Sequence, residues 1–150
     1  MKTLSQYLRS DHRYCDELFE LVAPLAQAGK WQEARHALEA FEEALERHLA
    51  REERVLFPAL ERAHGAPMGP THMMRIEHRG MRDLLLQMRD TLERSDADEL
   101  DAATQTLRIT LQQHNMKEEG VLYPMADRLL RAEAGELLQG FEGRLSEVAT

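Results

Sequence analysis

Apolar residues recur every three to four positions through most of this chain, which is the spacing of amphipathic helices. In the first segment the apolar stripe runs through Leu8 and Phe19. Three further segments repeat the pattern, with stripes over residues 31–55, 74–92 and 100–125. Because only short connections separate the segments, the pattern predicts an all-α protein whose four long helices form an antiparallel up-down bundle.

Capping residues and glycines indicate where these helices begin and end. Thr3 is a suitable cap for the first helix, because a glutamine follows it at the spacing of a capping box, and Gly29 is a suitable end. The segment 64–70 contains two prolines and two glycines and is predicted to be the main loop, after which Thr71 caps the third helix. Residues 95–98 form the next predicted turn and supply the cap of the fourth helix.

Prolines predict three local departures from regular helix. Pro24 is expected to kink or interrupt the first helix, and Pro58 and Pro124 to bend the second and the fourth. The reason is that proline removes one backbone hydrogen bond and crowds the preceding turn. After the fourth helix, a short C-terminal helix is predicted over residues 132–138, with an extension to Val148 as the alternative and interruptions at Gly140 and Gly143.

The composition is that of one domain, residues 1–150, which is large enough to bury a core. A formal net charge of −8 argues against nucleic acid or an anionic membrane as the main partner. No apolar run is long enough to span a bilayer, and the first residues lack an apolar signal segment. The one cysteine, Cys15, excludes an internal disulfide and indicates a reducing, cytoplasmic location.

An internal repeat with an offset of 66 residues is the strongest pattern in the sequence. It is clearest in two segments, 48–52 and 114–118, in each of which a histidine precedes a glutamate by four positions. Each segment continues into a near copy, Val-Leu-Phe-Pro at 55–58 and Val-Leu-Tyr-Pro at 121–124. A spacing of four places the histidine and the glutamate on one face of a helix.

The repeat includes two more histidines. His12 lies 36 residues before His48, and His78 lies 36 residues before His114. The midpoints of these intervals fall in the first and third predicted turns, so the two members of each pair lie at the same height on adjacent antiparallel helices. The histidines of each pair are therefore predicted to face each other across a helix hairpin, and the two hairpins to meet about a pseudo-twofold axis.

Six residues of the repeat lie on the apolar stripes: His12, His48, Glu52, His78, His114 and Glu118. An uncompensated buried carboxylate is costly on the scale of the roughly 5–15 kcal/mol by which a domain is stable. No cation on the stripes balances the two glutamates, whereas a dinuclear metal centre with terminal imidazoles and bridging carboxylates does. The alternative is that all six are ordinary core residues. Imidazole and carboxylate together suit iron, zinc or manganese, so the donor set leaves the metal open.

Other polar and aromatic residues are expected to have structural roles. Glu53 and Glu119 point about 100° away from the neighbouring glutamates and are expected to be solvated. Three histidines are expected on the surface: His36, His64 and His72. Cys15 is expected to be a small core residue, with a redox-sensitive thiol as the alternative. Phe57 and Tyr123 are expected to pack at the proline bends, with a hydrogen bond from Tyr123 near the site as an additional prospect.

The order His, His-x-x-x-Glu, His, His-x-x-x-Glu on four helices resembles the hemerythrin-like HHE cation-binding domain, a non-haem di-iron bundle. The resemblance covers residues 3 to about 130, and it is specific because four separate helices agree. It implies two iron ions with an oxo or hydroxo bridge, other divalent metals being alternatives. By this resemblance, His12 and His48 bind one iron, His78 and His114 bind the other, and the two stripe glutamates bridge them.

Two positions differ from the oxygen-carrying hemerythrins. Met74 stands where the carriers have a further histidine, and the fourth helix has His114-x-x-x-Glu118 in place of His-x-x-x-x-Asp. The four-His, two-Glu set is similar to that of family members that repair iron–sulfur centres under nitrosative stress. The resemblance therefore implies a protein that binds or senses a small diatomic ligand, oxygen or nitric oxide. Iron handling or iron–sulfur repair is the alternative, and no protein partner is indicated.

Two interpretations from other classes remain open. A ferritin-like oxidase or peroxidase uses Glu-x-x-His pairs and additional core glutamates. This chain has only two stripe carboxylates, so such an enzyme is disfavoured. The other interpretation is a helical interaction module that binds no metal. Iron quantitation after anaerobic purification separates this module from the two metal-binding interpretations.

Overall fold

A computed structural model describes residues 2–66 and 68–149, and no strand occurs within these ranges. The α-helices, in chain order, are α1 (Leu4–Phe19), α2 (Val22–Gln27), α3 (Trp31–Arg51), α4 (Phe57–His64), α5 (Gly69–Glu93), α6 (Ala97–Lys117), α7 (Tyr123–Leu129) and α8 (Ala134–Ala149). Helix α1 packs against α3, α5 packs against α6, and α3 also contacts α5. The prediction of an all-α protein is confirmed. Within the same ranges, no helix combines the length and the hydrophobicity that a bilayer span requires.

The predicted caps are confirmed for α1 and α6 but not for α5. Thr3 Oγ1 accepts a hydrogen bond from the Gln6 backbone, and the Gln6 side chain accepts one from the Thr3 backbone, which completes a capping box. The Asp96 carboxylate caps α6. Thr71 lies inside α5 instead, where its buried hydroxyl is 3.0 Å from the Met68 carbonyl. Helix α5 begins two residues before Thr71, at Gly69.

Pro24 interrupts the first helical segment rather than bending it. Helix α1 ends at Phe19, and α2 begins at Val22. A proline crowds the carbonyl four residues before it and cannot donate to that carbonyl. Here the carbonyl belongs to Glu20, the residue that follows the end of α1. The short helix α2 then contacts both α3 and α6.

Wide π-helical turns, rather than simple proline bends, follow α3 and α6. These turns, Glu52–Leu56 and Glu118–Leu122, each begin at a glutamate of the repeat. In each turn, the backbone N–H of the residue after the turn donates to the glutamate carbonyl five residues earlier. Pro58 and Pro124 follow near the start of α4 and α7, where a missing N–H is tolerated. The prolines therefore predicted the place of the irregularity, but not its form.

The extra residue in each π turn changes which side chains are buried after it. The sequence pattern places Val121 on a buried stripe, but this side chain is 59% exposed and Leu122 is buried in its place. The equivalent Val55 is buried because α8 covers it. A Cβ atom added to Gly140 of α8 would lie only 3.3 Å from Val55 Cγ1, so this glycine permits the close approach.

The C-terminal helix has the longer of the two predicted extents, but the predicted interruptions are wrong. Helix α8 extends from Ala134 to Ala149, and Gly140 and Gly143 do not interrupt it. Leu137 and Phe141 of α8 are buried against the end of the molecule that contains Leu4. These tertiary contacts outweigh the low helix propensity of glycine, which amounts to about 1 kcal/mol per residue.

Two apolar clusters divide the interior. Cluster A includes Phe19, Leu38, Phe41, Met88 and Leu107, and cluster B includes Leu8, Phe57, Met74, Tyr123 and Phe141. On each of α1, α3, α5 and α6, a histidine of the repeat lies at the boundary between the two clusters. On α1, for example, His12 lies between Leu8 of cluster B and Cys15 of cluster A. The fold therefore places a polar layer between two apolar ones.

Candidate metal centre

The six residues that the repeat singled out meet in this polar layer. All are buried, with exposed fractions of 3% or less: His12, His48, Glu52, His78, His114 and Glu118. The histidines lie on α1, α3, α5 and α6, and the two glutamates open the π turns after α3 and α6. Four helices and two turns thus contribute to one buried cluster of titratable side chains.

The donor atoms of the cluster form two groups that share both glutamates. His12 and His48 belong to the first group, and His78 and His114 to the second, while Glu52 and Glu118 belong to both. Within each group, the donor atoms all lie within 4.8 Å of one another. A carboxylate has two oxygens and can therefore contact a cation in each group. The arrangement can hold two metal ions with bridging carboxylates.

The histidines of each hairpin face each other, as their equal distances from the turns predict. The ring centroids of His12 and His48 are 4.6 Å apart, and those of His78 and His114 are 5.0 Å apart. On α3 and α6, the histidine Nε2 lies 3.5 Å and 3.1 Å from a carboxylate oxygen of the glutamate four residues later. The spacing of four has brought both donors of each segment to the same face.

Among the residues that the structure describes, several donor atoms of the second group are buried without a hydrogen-bond partner. They are Glu52 Oε1, Glu118 Oε2, His78 Nε2 and His114 Nε2. An unsatisfied buried polar atom typically costs about 1–3 kcal/mol, and more when it is charged. Carboxylate oxygen and imidazole nitrogen are both ligands of first-row transition metals, so a divalent cation at this position satisfies all four atoms together. The residues present therefore fit a metal ion.

Behind the six residues lies a set of four outer carboxylates, each of which contacts one histidine. The Nδ1–oxygen distances are 2.7 Å for His12–Glu119, 3.0 Å for His48–Asp11, 2.7 Å for His78–Glu53 and 2.8 Å for His114–Glu77. An imidazole whose Nδ1–H donates to a carboxylate directs the lone pair of Nε2 to the opposite side. All four histidines are thus oriented with Nε2 toward the centre, as metal-binding histidines usually are.

Glu53 and Glu119 are solvated only in part, with exposed side-chain fractions of 23% and 30%. Each also contacts a histidine on an adjacent helix, which the prediction did not include. Sequence analysis also missed Asp11 and Glu77, which directly precede His12 and His78. The signal was present in the repeat, since both pairs of outer carboxylates are related by the same offset of 66 residues.

Each outer carboxylate also contacts a cationic side chain of the protein. The pairs are Arg51–Asp11 at 2.7 Å, Lys117–Glu77 at 2.7 Å, Arg82–Glu53 at 3.0 Å and Arg9–Glu119 at 3.2 Å. These contacts fix the position of each carboxylate and favour its ionised form. Arg51 and Lys117 are related by the 66-residue offset, so both halves have a cation at that position. Arg82 corresponds to Asp16, so there the charge differs between the halves. The two halves of the site consequently differ outside the histidines.

In the metal-free protein, these contacts shift the pKa values toward ion pairs. Burial lowers the pKa of His78, but the neighbouring carboxylates of Glu118, Glu52 and Glu53 outweigh it and raise the pKa to about 10. Burial raises the pKa of Glu53, but hydrogen bonds from His78 and Arg82 bring it down to about 2. The pKa of Glu118 is well below its usual value because the nearby His114 and other imidazoles outweigh burial. Glu53 and Glu118 are therefore ionised at neutral pH.

The repeat is broken at one position inside the cluster, where Phe57 corresponds to Tyr123. The Phe57 ring stacks against His78, with ring centroids 5.6 Å apart. The Tyr123 hydroxyl instead lies among the donor atoms of the first group, 2.5 Å from Glu52 Oε2 and 3.1 Å from His12 Nε2. Both aromatic residues are buried in cluster B. The expected hydrogen bond of Tyr123 near the site is confirmed, and its hydroxyl lies within hydrogen-bonding distance of the donor atoms.

The remaining histidines and the cysteine are outside the cluster. His36, His64 and His72 are exposed, as predicted. Cys15 is 6% exposed and belongs to cluster A. Burial raises the pKa of its thiol to about 11, which leaves little thiolate at neutral pH. These observations favour the interpretation of Cys15 as a core residue over that of a reactive thiol.

Replacing Glu53 with glutamine is expected to weaken metal binding about 10- to 100-fold, because the charge that orients His78 and makes it a stronger ligand is lost. The matched control is Glu46→Gln, since Glu46 also contacts Arg82 but no histidine of the site. Competition with a chromogenic chelator measures both affinities. Equal affinities for the two variants would contradict the role of the outer carboxylate.

The family model of the hemerythrin HHE cation binding domain matches residues 3–126. No curated protein and no solved structure gives a significant match. The matched range contains both donor groups and extends from the cap of α1 into α7. It confirms the resemblance on which the sequence interpretation relied, and this chain belongs to the hemerythrin HHE cation-binding domain family, whose members bind metal.

Proposed function

We propose that this chain is a non-haem di-iron protein that binds or senses a small diatomic molecule, oxygen or nitric oxide. The ligands in this proposal are His12 and His48 for one iron and His78 and His114 for the other, with the two central glutamates as bridges. One observation carries the proposal. Two groups of buried donor atoms share both carboxylates, and each group has two imidazole nitrogens directed inward.

The number of donors in each group supports the binding of an additional small molecule. Two imidazoles and two carboxylate oxygens supply four donor atoms to each metal, whereas iron in such sites has room for more. An iron pair with open positions supplies reversible binding or reduction of a diatomic molecule. The surrounding protein supplies an apolar enclosure, since Phe57, Met74 and Leu8 of cluster B lie beside the polar layer.

Contacts among protein groups hold the residues of the site in position. The outer carboxylates fix the orientation of the imidazoles, and each is held in turn by a cationic side chain, as Asp11 is by Arg51. A site oriented in this way requires little rearrangement when a metal binds, and this favours affinity. Iron is proposed over zinc or manganese on the basis of the family alone, and metal analysis tests that choice.

The proposal extends to the arrangement of the chain. Residues 1–150 are proposed to form a single domain in which α1, α3, α5 and α6 make an antiparallel up-down bundle. The contacts of α1 with α3 and of α5 with α6 support this arrangement. A cytoplasmic location is proposed from the single cysteine, which is free and buried.

A second candidate function is iron handling or the repair of iron–sulfur centres under oxidative or nitrosative stress. It shares the same metal site, and the four-His, two-Glu donor set supports it. The two functions differ in what happens to the iron. A protein that binds or senses a diatomic molecule retains both ions when ligand is added, whereas a protein that delivers iron loses metal to an acceptor. Metal analysis before and after incubation with an iron-free ferredoxin separates them.

The main experiment is to purify the protein anaerobically, quantify the bound iron, and add oxygen or nitric oxide to the reduced form. We expect about two iron ions per chain, together with a change in the visible absorption spectrum on ligand addition. Absence of metal after anaerobic expression in iron-replete medium would contradict the proposal and favour a metal-free interaction module.

Replacing Met74 with histidine is expected to lengthen the lifetime of the oxygen-induced spectrum. Met74 is 5% exposed and lies one turn before His78 on the same face of α5, so the new imidazole fills a position that is open to water or oxygen in the wild type. Stopped-flow spectroscopy measures the decay. The control is Met73→His, at a neighbouring position that is 49% exposed. A long-lived wild-type spectrum that Met74→His does not extend would contradict the interpretation as a readily oxidised centre rather than a carrier.

A further inference from the structure

The two halves of the site differ at an aromatic position of the repeat, where Tyr123 corresponds to Phe57. Tyr123 is fully buried, and its hydroxyl has four neighbours in the first donor group. The distances are 2.5 Å to Glu52 Oε2, 3.0 Å to Glu118 Oε1, 3.1 Å to His12 Nε2 and 3.4 Å to His48 Nε2. The second group has Phe57 at the equivalent position, which offers no donor atom.

A hydrogen-bonding role cannot satisfy all of these contacts. A phenol has one proton to donate. The two carboxylate oxygens accept only, and in the neutral form in which histidine binds a metal both Nε2 atoms also present lone pairs, because the corresponding Nδ1 atoms donate to the outer carboxylates. The hydroxyl oxygen of Tyr123 therefore lies close to four acceptors and can donate to one of them. A cation among the five atoms removes the remaining repulsion.

The distances also match those between neighbouring ligands of one metal ion. Metal bonds to nitrogen and oxygen are about 2.0–2.2 Å long, as in zinc sites, which puts adjacent ligand atoms at right angles about 3 Å apart. The contacts of the Tyr123 oxygen, from 2.5 to 3.4 Å, are distributed around this value. The hydroxyl thus occupies the place of a fifth ligand to the ion between His12 and His48.

We infer that Tyr123 is a ligand of the metal held by His12 and His48, and that exogenous small molecules consequently bind at the metal held by His78 and His114. This inference rests on the proposed function. When the metal–oxygen bond forms, the phenol releases its proton to solvent, as coordinating protein groups do, and no electron is transferred. The first metal then has five protein donors and the second has four, so the more open position is beside Phe57.

The test uses the visible absorption of the ferric protein, because a tyrosinate bound to ferric iron absorbs in the visible range. The protein is loaded anaerobically with ferrous iron, oxidised with air, and analysed for metal content before its spectrum is recorded. We expect a tyrosinate band, with tyrosine vibrations in resonance Raman, that Tyr123→Phe abolishes. Tyr14→Phe is the matched control, because Tyr14 is 58% exposed. Phe57→Tyr is expected to add a second band.

Azide titration locates the open position. We expect one azide per iron pair in the wild type, a second azide in Tyr123→Phe, and binding weakened at least tenfold in Phe57→Tyr. If the wild type carries two ferric ions but no tyrosinate band, or if Tyr123→Phe retains the band, the inference is wrong while the proposed function stands. If the wild type binds no iron, the proposed function fails first. Two azides per wild-type pair would contradict the assignment of the open position.

Discussion

Replacing Glu118 with alanine is expected to remove most of the metal from the protein. Glu118 belongs to both donor groups, and its Oε1 lies 3.0 Å from His12 Nε2 and 3.1 Å from His114 Nε2. Its loss takes a ligand from both ions at once and leaves only one carboxylate to balance their charge. We expect the content to fall from about two ions per chain to well below one, measured by mass spectrometry of the purified protein.

The controls for this substitution match the residue type but not the location. His36→Ala removes an exposed histidine, and Glu43→Ala removes an exposed glutamate whose ion pair is with Arg47 on its own helix. Both are expected to retain the full metal content. Circular dichroism must show that all variants have the same helix content. Equal metal content in the wild type and in Glu118→Ala would refute the assignment of the site.

Removal of the metal is expected to destabilise the protein, and the loss is expected to increase from pH 6 to pH 8. An ion present at a thousand times its dissociation constant stabilises the folded state by about 4 kcal/mol. Metal binding becomes stronger as pH rises, because the ligands must be deprotonated. The metal-free protein is expected to become less stable over the same interval, so the two effects add.

The metal-free protein is expected to lose stability as pH rises because its buried histidines lose their protons. Burial lowers the pKa of His48, but Glu52 and other carboxylates outweigh it, and the pKa values of His78 and His114 are raised for the same reason. A raised histidine pKa stabilises the folded state fully below about pH 6.5, the value in the unfolded chain. This contribution is lost as pH rises toward the folded value, which is about 10 for His78.

At acidic pH, protonation of Glu118 is expected to reduce the stability of the metal-free protein. The folded pKa of Glu118 is lowered, so its contribution is present above about pH 4.3 and is lost as the carboxylate becomes protonated at lower pH. Burial by itself raises the pKa of a carboxyl group, but at Glu118 the nearby His114 and two further histidines outweigh the effect of burial. The metal-free protein is therefore expected to be most stable at mildly acidic pH.

Urea unfolding of the chelator-treated and the metal-loaded protein, at pH 6 and pH 8, measures both effects. The matched variant is His78→Gln, in which the pH dependence of the metal-free form is expected to decrease because one titrating group is removed. His36→Gln, at an exposed position, is expected to leave it unchanged. A metal-free protein that is equally stable or more stable at pH 8 would contradict the ion-pair description of the site.

The central residues could be predicted because the information lies within single helices. A spacing of four puts His48 and Glu52 on one face in any α-helix, and the apolar residues around them indicate that this face is buried. His12 and His48 lie equally far from the first turn, which predicts that they face each other, as they do. The identity of the metal cannot be read in this way, because the same donors suit several ions.

The outer carboxylates show where this reasoning ends. Glu119 contacts His12 across 107 residues of sequence, and Glu53 contacts His78 on another helix. Whether such a residue faces water or a neighbouring helix depends on how the helices are rotated about their axes, which local periodicity does not specify. The repeat nevertheless contained an unused indication, since charged residues directly beside the repeated histidines recur at the same offset.

Local periodicity in the sequence determined the helices and their buried faces, because each is a property of residues three or four positions apart. The tertiary structure decided which side chains of different helices contact each other. Helix α8 covers Val55, while its counterpart Val121 is exposed. The π turns alter the faces that follow them, and the Tyr123 hydroxyl reaches Glu52 across 71 residues. Such contacts depend on packing between distant segments, which a pattern within one segment cannot specify.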